Sequence, residues 1–174
     1  MKPFHHIRRS RGFSLIELLL VLAIIMMLAI VAFVMFPMVR SSWHSAEIKD
    51  DIGVIASCTK STFINRYDTI NLPDLVVAGC FPVSMTGNNP DRDVVPVSPW
   101  ASEVRVSALP NRSYFMISVH NVKTSVCQKL VPLIIHSYPV VYVGSAELDS
   151  DSTGVEILSA CHSSPEQQID IVSD

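Results

Sequence analysis

Glu17 is the residue in this sequence whose type and position most clearly indicate a chemical role. It lies inside an apolar block that opens at Phe13, just ahead of the uncharged run Leu18–Phe36. A charged side chain at the edge of bilayer hydrocarbon costs a few kcal/mol on insertion scales and therefore indicates a function. If the chain were cut after Gly12, Phe13 would carry a new α-amine one helical turn before Glu17. The chemistry we expect of Glu17 is therefore charge pairing with such an amine.

The residues around Glu17 form a specific motif, Arg11-Gly-Phe-Ser-Leu-Ile-Glu-Leu-Leu-Leu-Val21. A basic leader, Gly12, a hydrophobic Phe13 and Glu17 follow one another at the spacing of the class III signal of type IV prepilins, which this segment resembles. The resemblance implies that a prepilin peptidase cuts between Gly12 and Phe13 and that the new Phe13 amine is methylated. It also implies that residues 1–12 are a leader peptide and that Glu17 acts in subunit assembly.

The run Leu18–Phe36 is long enough to cross a membrane. Its nineteen apolar residues would form a helix of about 28 Å, close to the roughly 30 Å hydrocarbon core of a bilayer. Basic residues before the run keep the N-terminus in the cytoplasm by the positive-inside rule. They are Lys2, Arg8, Arg9 and Arg11. We therefore predict that 13–39 spans the bacterial inner membrane once before assembly and that the protein is extracellular afterwards.

Two simpler interpretations of the apolar block fit the sequence less well. A secretory signal peptide has an apolar region of about 7–15 residues and an A-x-A-like cleavage site. The block here is longer, and Met38-Val-Arg-Ser-Ser-Trp43 offers no such site. A plain single-pass anchor fits the length but leaves Glu17 unexplained.

Removal of residues 1–12 changes the net charge. The chain has 13 Lys and Arg residues against 16 Asp and Glu, a net charge of −3. The leader holds four of the basic residues, which leaves nine against sixteen, or −7. Nonspecific nucleic-acid binding needs a basic footprint, so we predict no nucleic-acid partner.

The four cysteines all follow the membrane segment. They are Cys58, Cys80, Cys127 and Cys161. An even number on the oxidising side of the membrane indicates two disulfides, and the spacing does not fit a zinc site. Three pairings are possible from the sequence alone. Closure of the shorter loops favours Cys58–Cys80 and Cys127–Cys161, and the second would contribute very roughly 3–4 kcal/mol by the chain-entropy model.

Beyond the membrane segment the pattern stays helical but becomes amphipathic over 40–66. Apolar residues recur mostly at three- and four-residue steps, and charged residues take the other faces. The apolar positions are Trp43, Ile48, Ile52, Ile55, Thr59 and Phe63. We expect one helix from Ser14 to about Asn65 with a kink or loosened ladder at Pro37. A full break at Pro37, giving two separate helices, would produce the same pattern.

The remaining segment, 67–174, has the pattern of a globular head. Tyr67–Trp100 is rich in proline and glycine and is predicted to be a long irregular connection. Glu103–Leu109 alternates with period two, and Tyr114–Val119 repeats this with Phe115, Ile117 and Val119 on one face, so together they predict a β-hairpin.

The end of the head contains shorter elements. We predict a helix over Thr124–Leu130, capped by Thr124 or Ser125 and limited by Pro132. Strands are predicted at Val140–Val143 and Gln168–Val172, with an acidic loop at Glu147–Gly154 between them. A long helix followed by antiparallel strands predicts an α+β fold.

No catalytic motif is present: the sequence lacks G-x-S-x-G, a Walker loop and H-E-x-x-H. The scattered histidines at 44, 120, 136 and 162 are expected to be surface or hydrogen-bonded residues. Asp149–Gly154 resembles the first half of an EF-hand loop, but the twelfth position is Ala160 rather than Glu. We predict a protein that is not an enzyme and has no cofactor and no metal.

The head has its own resemblance. Gly79-Cys-Phe-Pro-Val-Ser-Met85, Ser98-Pro-Trp100, Cys127-Gln-Lys-Leu130 and Ala160-Cys161 are similar to type IVb pilins of the thin-pilus and toxin-coregulated kind. The resemblance implies a pilin fold, in which a long N-terminal helix packs on an antiparallel sheet. It also implies that the last two cysteines bracket a surface region that makes subunit contacts.

The sequence thus favours a structural pilus subunit that polymerises with itself for adhesion, aggregation or conjugative mating contact. Its expected partners are the prepilin peptidase, the pilus assembly platform, minor pilins and, before assembly, the inner membrane. A minor pilin, a type II secretion pseudopilin and a non-polymerising, membrane-tethered periplasmic binding module are the alternatives.

Overall fold

The structure, a computed structural model, describes residues 14–64, 66–87, 93–98, 103–110 and 113–174, with the backbone only for 36–44. The chain divides into two compact units, Met1–Arg40 and Ser41–Asp174. Helix α1, Leu15–Phe63, is one helical element that includes Pro37, so the alternative of two separate helices is wrong. It ends where Ile64 takes a left-handed conformation with a φ of 41°, a common way for helices to stop.

The second half of α1 buries the apolar face that its sequence pattern predicts. Ile48, Ile52 and Ile55 are almost fully buried in the core of the second unit, and Phe63 is partly buried against it. Thr59 is buried among them, and its hydroxyl donates a 2.7 Å hydrogen bond to the Ile55 carbonyl. That bond satisfies the polar atom, which is why a threonine is tolerated on this face. The Trp43 side chain lies outside the described residues.

The proline-rich stretch after α1 is more regular than predicted. It contains a 3₁₀ turn at Tyr67–Thr69 and two short helices, α2 at Leu72–Val77 and α3 at Val83–Thr86. Pro73 lies at the start of α2, and Pro82 is the N-cap of α3. Proline at a helix start loses no hydrogen bond and fixes a suitable φ, so these prolines begin helices instead of preventing them.

A five-stranded antiparallel sheet forms the centre of the second unit. Its strands are β1 (Val104–Ala108), β2 (Phe115–Lys123), β3 (Val140–Val143), β4 (Ala146–Leu148) and β5 (Glu166–Ser173). Their order across the sheet is β1-β2-β5-β3-β4. The predicted hairpin is confirmed: β1 pairs with β2 from Ala108 opposite Phe115 to Val104 opposite Val119. The face carrying Phe115, Ile117 and Val119 is buried, as the alternation predicted.

Two helices and one strand of the head depart from the sequence prediction. Helix α4 is Thr124–Ile134, so it continues past Pro132, and its N-cap is Lys123 instead of Thr124 or Ser125. Proline costs this helix a hydrogen bond, but burial of Leu130, Val131 and Ile134 around it offsets that loss. The acidic loop predicted at Glu147–Gly154 contains β4 at its start, and helix α5 (Gly154–His162) follows a turn of only a few residues.

The buried sheet face, α1, α2 and α4 enclose one hydrophobic core. The Tyr67 ring packs on the Phe115 ring with 4.9 Å between centroids, which joins the segment after α1 to the sheet. The described elements form an α+β fold, as the sequence predicted.

Candidate functional site

The described side chains of the first unit, residues 14–35, form no buried face. Every residue from Ser14 to Met35 is exposed, including Leu18 at 56% and Phe33 at 81%. By length and composition, Leu15–Met35 is able to cross a membrane, with a mean hydropathy of 3.3. Soluble monomers rarely expose apolar patches of more than a few hundred Å². This surface therefore needs lipid or other helices around it.

Glu17 lies in the first turn of α1, at the end of the helix dipole that favours negative charge. The helix is formed there at Ser14, whose carbonyl accepts a 3.2 Å hydrogen bond from the Leu18 amide. Glu17 is thus a carboxylate held on a helix at the start of an apolar surface. The predicted processing residues Gly12 and Phe13 lie outside the described residues, so their role remains a prediction.

The second unit contains both predicted disulfides, Cys58–Cys80 and Cys127–Cys161. Their Cα atoms are 5.2 and 5.8 Å apart, within the usual range for disulfides. The first joins the end of α1 to the segment between α2 and α3. The hydroxyl oxygen of Thr62 lies 3.7 Å from the Cys80 sulfur, in a partly buried contact.

The second disulfide joins α4 to α5, and both of its cysteines are fully buried. Next to it on the surface, the side-chain amide of Gln128 lies 3.2 Å from Nδ1 of His162. The two helices are therefore held together by a covalent bond inside and a polar contact outside. The segment between Cys127 and Cys161 contains most of α4, β3, β4 and most of α5, and its predicted subunit contacts stay a prediction.

Helix α5 has a complete N-terminal cap. The Glu156 amide donates to the Thr153 hydroxyl, while the Glu156 carboxylate accepts from the Thr153 amide and hydroxyl. These hydrogen bonds to the charged form lower the pKa of Glu156. Helix α5 was not predicted from the sequence, although Thr153-x-x-Glu156 is a capping-box signature that precedes an apolar run and marks the start of the helix.

In the segment Asp149–Gly154, which resembled half of an EF-hand, the first carboxylate forms hydrogen bonds within the segment. Oδ1 of Asp149 accepts hydrogen bonds from the Asp151 amide and the Ser152 hydroxyl, both at 3.0 Å. Across the described part of the chain, no three His, Cys, Asp or Glu side chains cluster in a way that would hold a metal ion.

One partly buried carboxylate, Asp51, was not predicted from the sequence to differ from its charged neighbours. Asp51 on α1 is half-buried at the edge of the core, and its Oδ2 atom has no hydrogen-bond partner among the described residues. Burial, with smaller contributions from the charges of Glu47 and Asp50, raises the pKa of Asp51 to about 6. The helical charge pattern placed it with the solvent-facing residues, because position 51 lies at the border of the apolar stripe.

The comparisons with known proteins agree with this geometry. Residues 7–33 match the prokaryotic N-terminal methylation motif, and residues 43–174 match the family described as PilS N terminal. Among solved structures, the chain is similar to TcpA, a type IV pilin from Vibrio cholerae El Tor biotype. The TM-score is 0.53 at 11% identity, over 78% of this chain and 99% of that chain, a likeness that shows the fold alone. No curated protein sequence matches the chain.

Proposed function

The chain belongs to the PilS N-terminal family and is a type IV pilin by its methylation motif and its fold, and from this we propose that it is a structural subunit of a type IV pilus. In this proposal the peptidase removes residues 1–12, Phe13 becomes the methylated N-terminus, and the mature subunits polymerise into an extracellular filament. The filament serves adhesion, aggregation or conjugative mating contact.

The observation that carries the proposal is the exposed apolar surface of Leu15–Met35 with Glu17 in its first turn. Such a surface needs an apolar environment twice, first in the bilayer and then in the filament. Neighbouring copies of the same helix supply the second environment, since lipid tails and packed apolar side chains are similarly favourable surroundings for it.

Glu17 sets the axial position of a subunit when it moves from the bilayer into the filament. Before assembly the carboxylate serves as the partner of the Phe13 amine of its own subunit, four residues earlier in the sequence, and this pair opens when the subunit enters the filament. When a new subunit enters the filament, its amine is surrounded by apolar side chains, where an uncompensated charge costs several kcal/mol. The Glu17 carboxylate of a neighbouring subunit compensates that charge only at the matching depth. One ion pair therefore both attracts the incoming subunit and aligns it.

The location and partners follow from this mechanism. Before assembly the protein crosses the inner membrane once over 13–39, with its N-terminus in the cytoplasm beside the peptidase and the assembly platform. Segment 40–66 and the head 67–174 are on the outer side, where two disulfides suit oxidising conditions. Other copies of this chain, together with minor pilins, are the partners in the filament.

Intact-mass analysis of filaments sheared from cells tests the proposal. We expect a chain that starts at Phe13 and carries one added methyl group, with both disulfides formed. A chain that still starts at Met1, or one trimmed near Ser42, would contradict it.

Imaging of cells with and without the gene separates the remaining roles. A major subunit is required for filaments and is their most abundant protein. Filaments that contain only traces of the chain would identify a minor pilin. A protein that stays in the membrane fraction and never appears in sheared filaments would be a tethered binding module.

A further inference from the structure

A groove of about 530 Å³ runs between strand β4 and helix α5 in the second unit. One wall is formed by three consecutive strand residues, Ala146, Glu147 and Leu148. Successive side chains of a strand point to opposite faces of its sheet. The groove also touches Val143 on β3, which is paired with Ala146, so it lies over the face that carries Val143, Ala146 and Leu148 and reaches the edge of the sheet at Glu147.

The hydrogen-bond pattern identifies which backbone groups of β4 face this groove. The Gly144 amide donates a 2.9 Å hydrogen bond to the Gln168 carbonyl on β5. Since alternate residues of a strand direct their amide and carbonyl to the same side, those of Tyr142 on β3 also point towards β5. The amides and carbonyls of Val141 and Val143 therefore point towards β4, where these residues are paired with Leu148 and Ala146. Because facing alternates along an antiparallel ladder, the amide and carbonyl of Glu147 point away from β3, towards the groove.

The two edges of the sheet differ in how they are covered. At β1 the Val104 amide donates to the Pro96 carbonyl, and Val97 forms a bridge with Glu103, so the chain covers the start of its own edge. At β4 no described residue forms a backbone hydrogen bond with the outward amide or carbonyl of Glu147, and the groove lies there. An open edge of this kind is a template for an added strand.

Helix α5 supplies the opposite wall with side chains at four-residue steps. Val155 and Ser159 on the helix and Ser163 at its C-cap line the groove, and Val155 is 77% exposed. A strand edge that faces a helix across a groove offers backbone hydrogen bonds on one side and side-chain contacts on the other. That arrangement suits an extended peptide, whose alternate side chains point to either wall.

The described residues that line the groove include acidic side chains but no lysine or arginine. Between 130 and 174 the sequence contains no lysine or arginine. The same stretch holds seven acidic residues: Glu147, Asp149, Asp151, Glu156, Glu166, Asp170 and Asp174. Of these, Glu147 and Glu156 line the groove, and the lowered pKa of Glu156 keeps it charged. A segment that enters the groove meets negative charge on both walls.

We propose that the β4–α5 groove binds an extended basic peptide segment of a partner protein, which adds to β4 as a sixth strand. The Glu147 amide and carbonyl pair with the peptide backbone, and its carboxylate faces a lysine or arginine of the peptide. The ladder is as short as β4, three residues, so binding is weak for one site. The inference goes beyond the proposed function and does not depend on whether the chain polymerises.

Fluorescence polarisation with the full-length chain in detergent micelles provides the test. The probe is the fluorescein-labelled peptide Gly-Val-Lys-Val-Arg-Val-Gly. One control replaces its two basic residues by glutamate, and the other is N-methylated at alternate backbone amides. We expect binding of the basic probe that weakens with added salt, and no binding of either control. Equal binding of the N-methylated peptide would overturn strand addition, and equal binding of the acidic peptide would overturn the charge argument.

Two variants alter the two walls independently. Glu147→Pro removes the outward amide and the charge but leaves the bonds to β3, since proline is tolerated on a strand edge. It should weaken probe binding about two- to tenfold, the range for one lost hydrogen bond. Ser159→Trp, an exposed substitution on α5, should block the groove by filling it.

The matched control is Glu166→Gln, which removes an exposed carboxylate from the same acidic stretch outside the groove lining. It should leave probe binding unchanged. Binding that is lost equally in Glu166→Gln, or retained in both groove variants, would show a general charge attraction and refute the site. Failure of the wild-type chain to bind any of the peptides would also refute it. Binding that disappears only when the chain self-associates would assign the groove to a second copy.

Discussion

Replacing Cys127 and Cys161 together by alanine should destabilise the head more than replacing Cys58 and Cys80. The two disulfides close loops with sequence separations of 34 and 22 residues. The chain-entropy model gives about 3.8 and 3.4 kcal/mol for these loops, so loop length alone barely separates them. Burial separates them further, because Cys127 and Cys161 are both fully buried whereas Cys58 is partly exposed.

Each sulfur removed from a packed interior leaves a small cavity with a cost of its own. We therefore expect losses in the free energy of unfolding of about 4–6 kcal/mol for Cys127→Ala with Cys161→Ala, and about 3–4 kcal/mol for the other pair. Most small domains have only about 5–15 kcal/mol in total. The first variant should be close to unfolded at 37 °C and scarce in cells.

Urea unfolding of the full-length chain in detergent micelles, followed by near-UV circular dichroism, measures both losses. Wild-type protein treated with dithiothreitol is the matched control for removing both bonds at once. Equal losses for the two pairs would show that burial of the second disulfide adds nothing. A larger loss for Cys58 and Cys80 would refute the reasoning, because it would mean that the segment after α1 limits the stability of the head.

Two further substitutions test local features of the head. Asp51→Asn should stabilise the head at pH 7 by about 1 kcal/mol after discounting for solvent screening; since the folded-state pKa is raised to about 6, the wild type loses stability as pH rises from about 4 to 6, and the gain should vanish below that window in urea titrations. Gly144→Ala should destabilise by about 1–2 kcal/mol, because residue 144 has a φ of 60° and a Cβ there would lie 3.1 Å from Oε1 of Gln167; an unchanged midpoint of thermal unfolding would contradict this.

The sequence predicted the elements that carry a strong period or a strong motif. The apolar face of α1 and the β1–β2 hairpin were predicted from the spacing of their apolar residues, and the two disulfides are the pairing, of three possible ones, that closure of the shorter loops favoured. The helices α2 and α3 were not, since proline reads as a breaker unless its place in the first turn of a helix is known.

Other features depend on tertiary contacts, which cannot be predicted from the spacing of residues in the sequence. The groove between β4 and α5 depends on how α5, which is joined to α4 by a disulfide, packs beside the sheet, and the spacing of residues along the sequence does not give that packing. The raised pKa of Asp51 depends on how deeply one side of α1 is buried. For Gly12, Phe13 and Glu17, the proposed roles in processing and assembly stay predictions.

The central claim is that Glu17 aligns subunits during assembly, and counting filaments on cells that express Glu17→Val tests it most directly. The matched control is Ile16→Val, a conservative change at the neighbouring exposed position of α1. Membrane fractions from the same cells should contain equal amounts of cleaved, inserted protein for both variants, since cleavage and insertion do not need the carboxylate. We predict few or no filaments for Glu17→Val and normal numbers for Ile16→Val. Normal numbers of filaments on Glu17→Val cells would contradict the charge-pairing account.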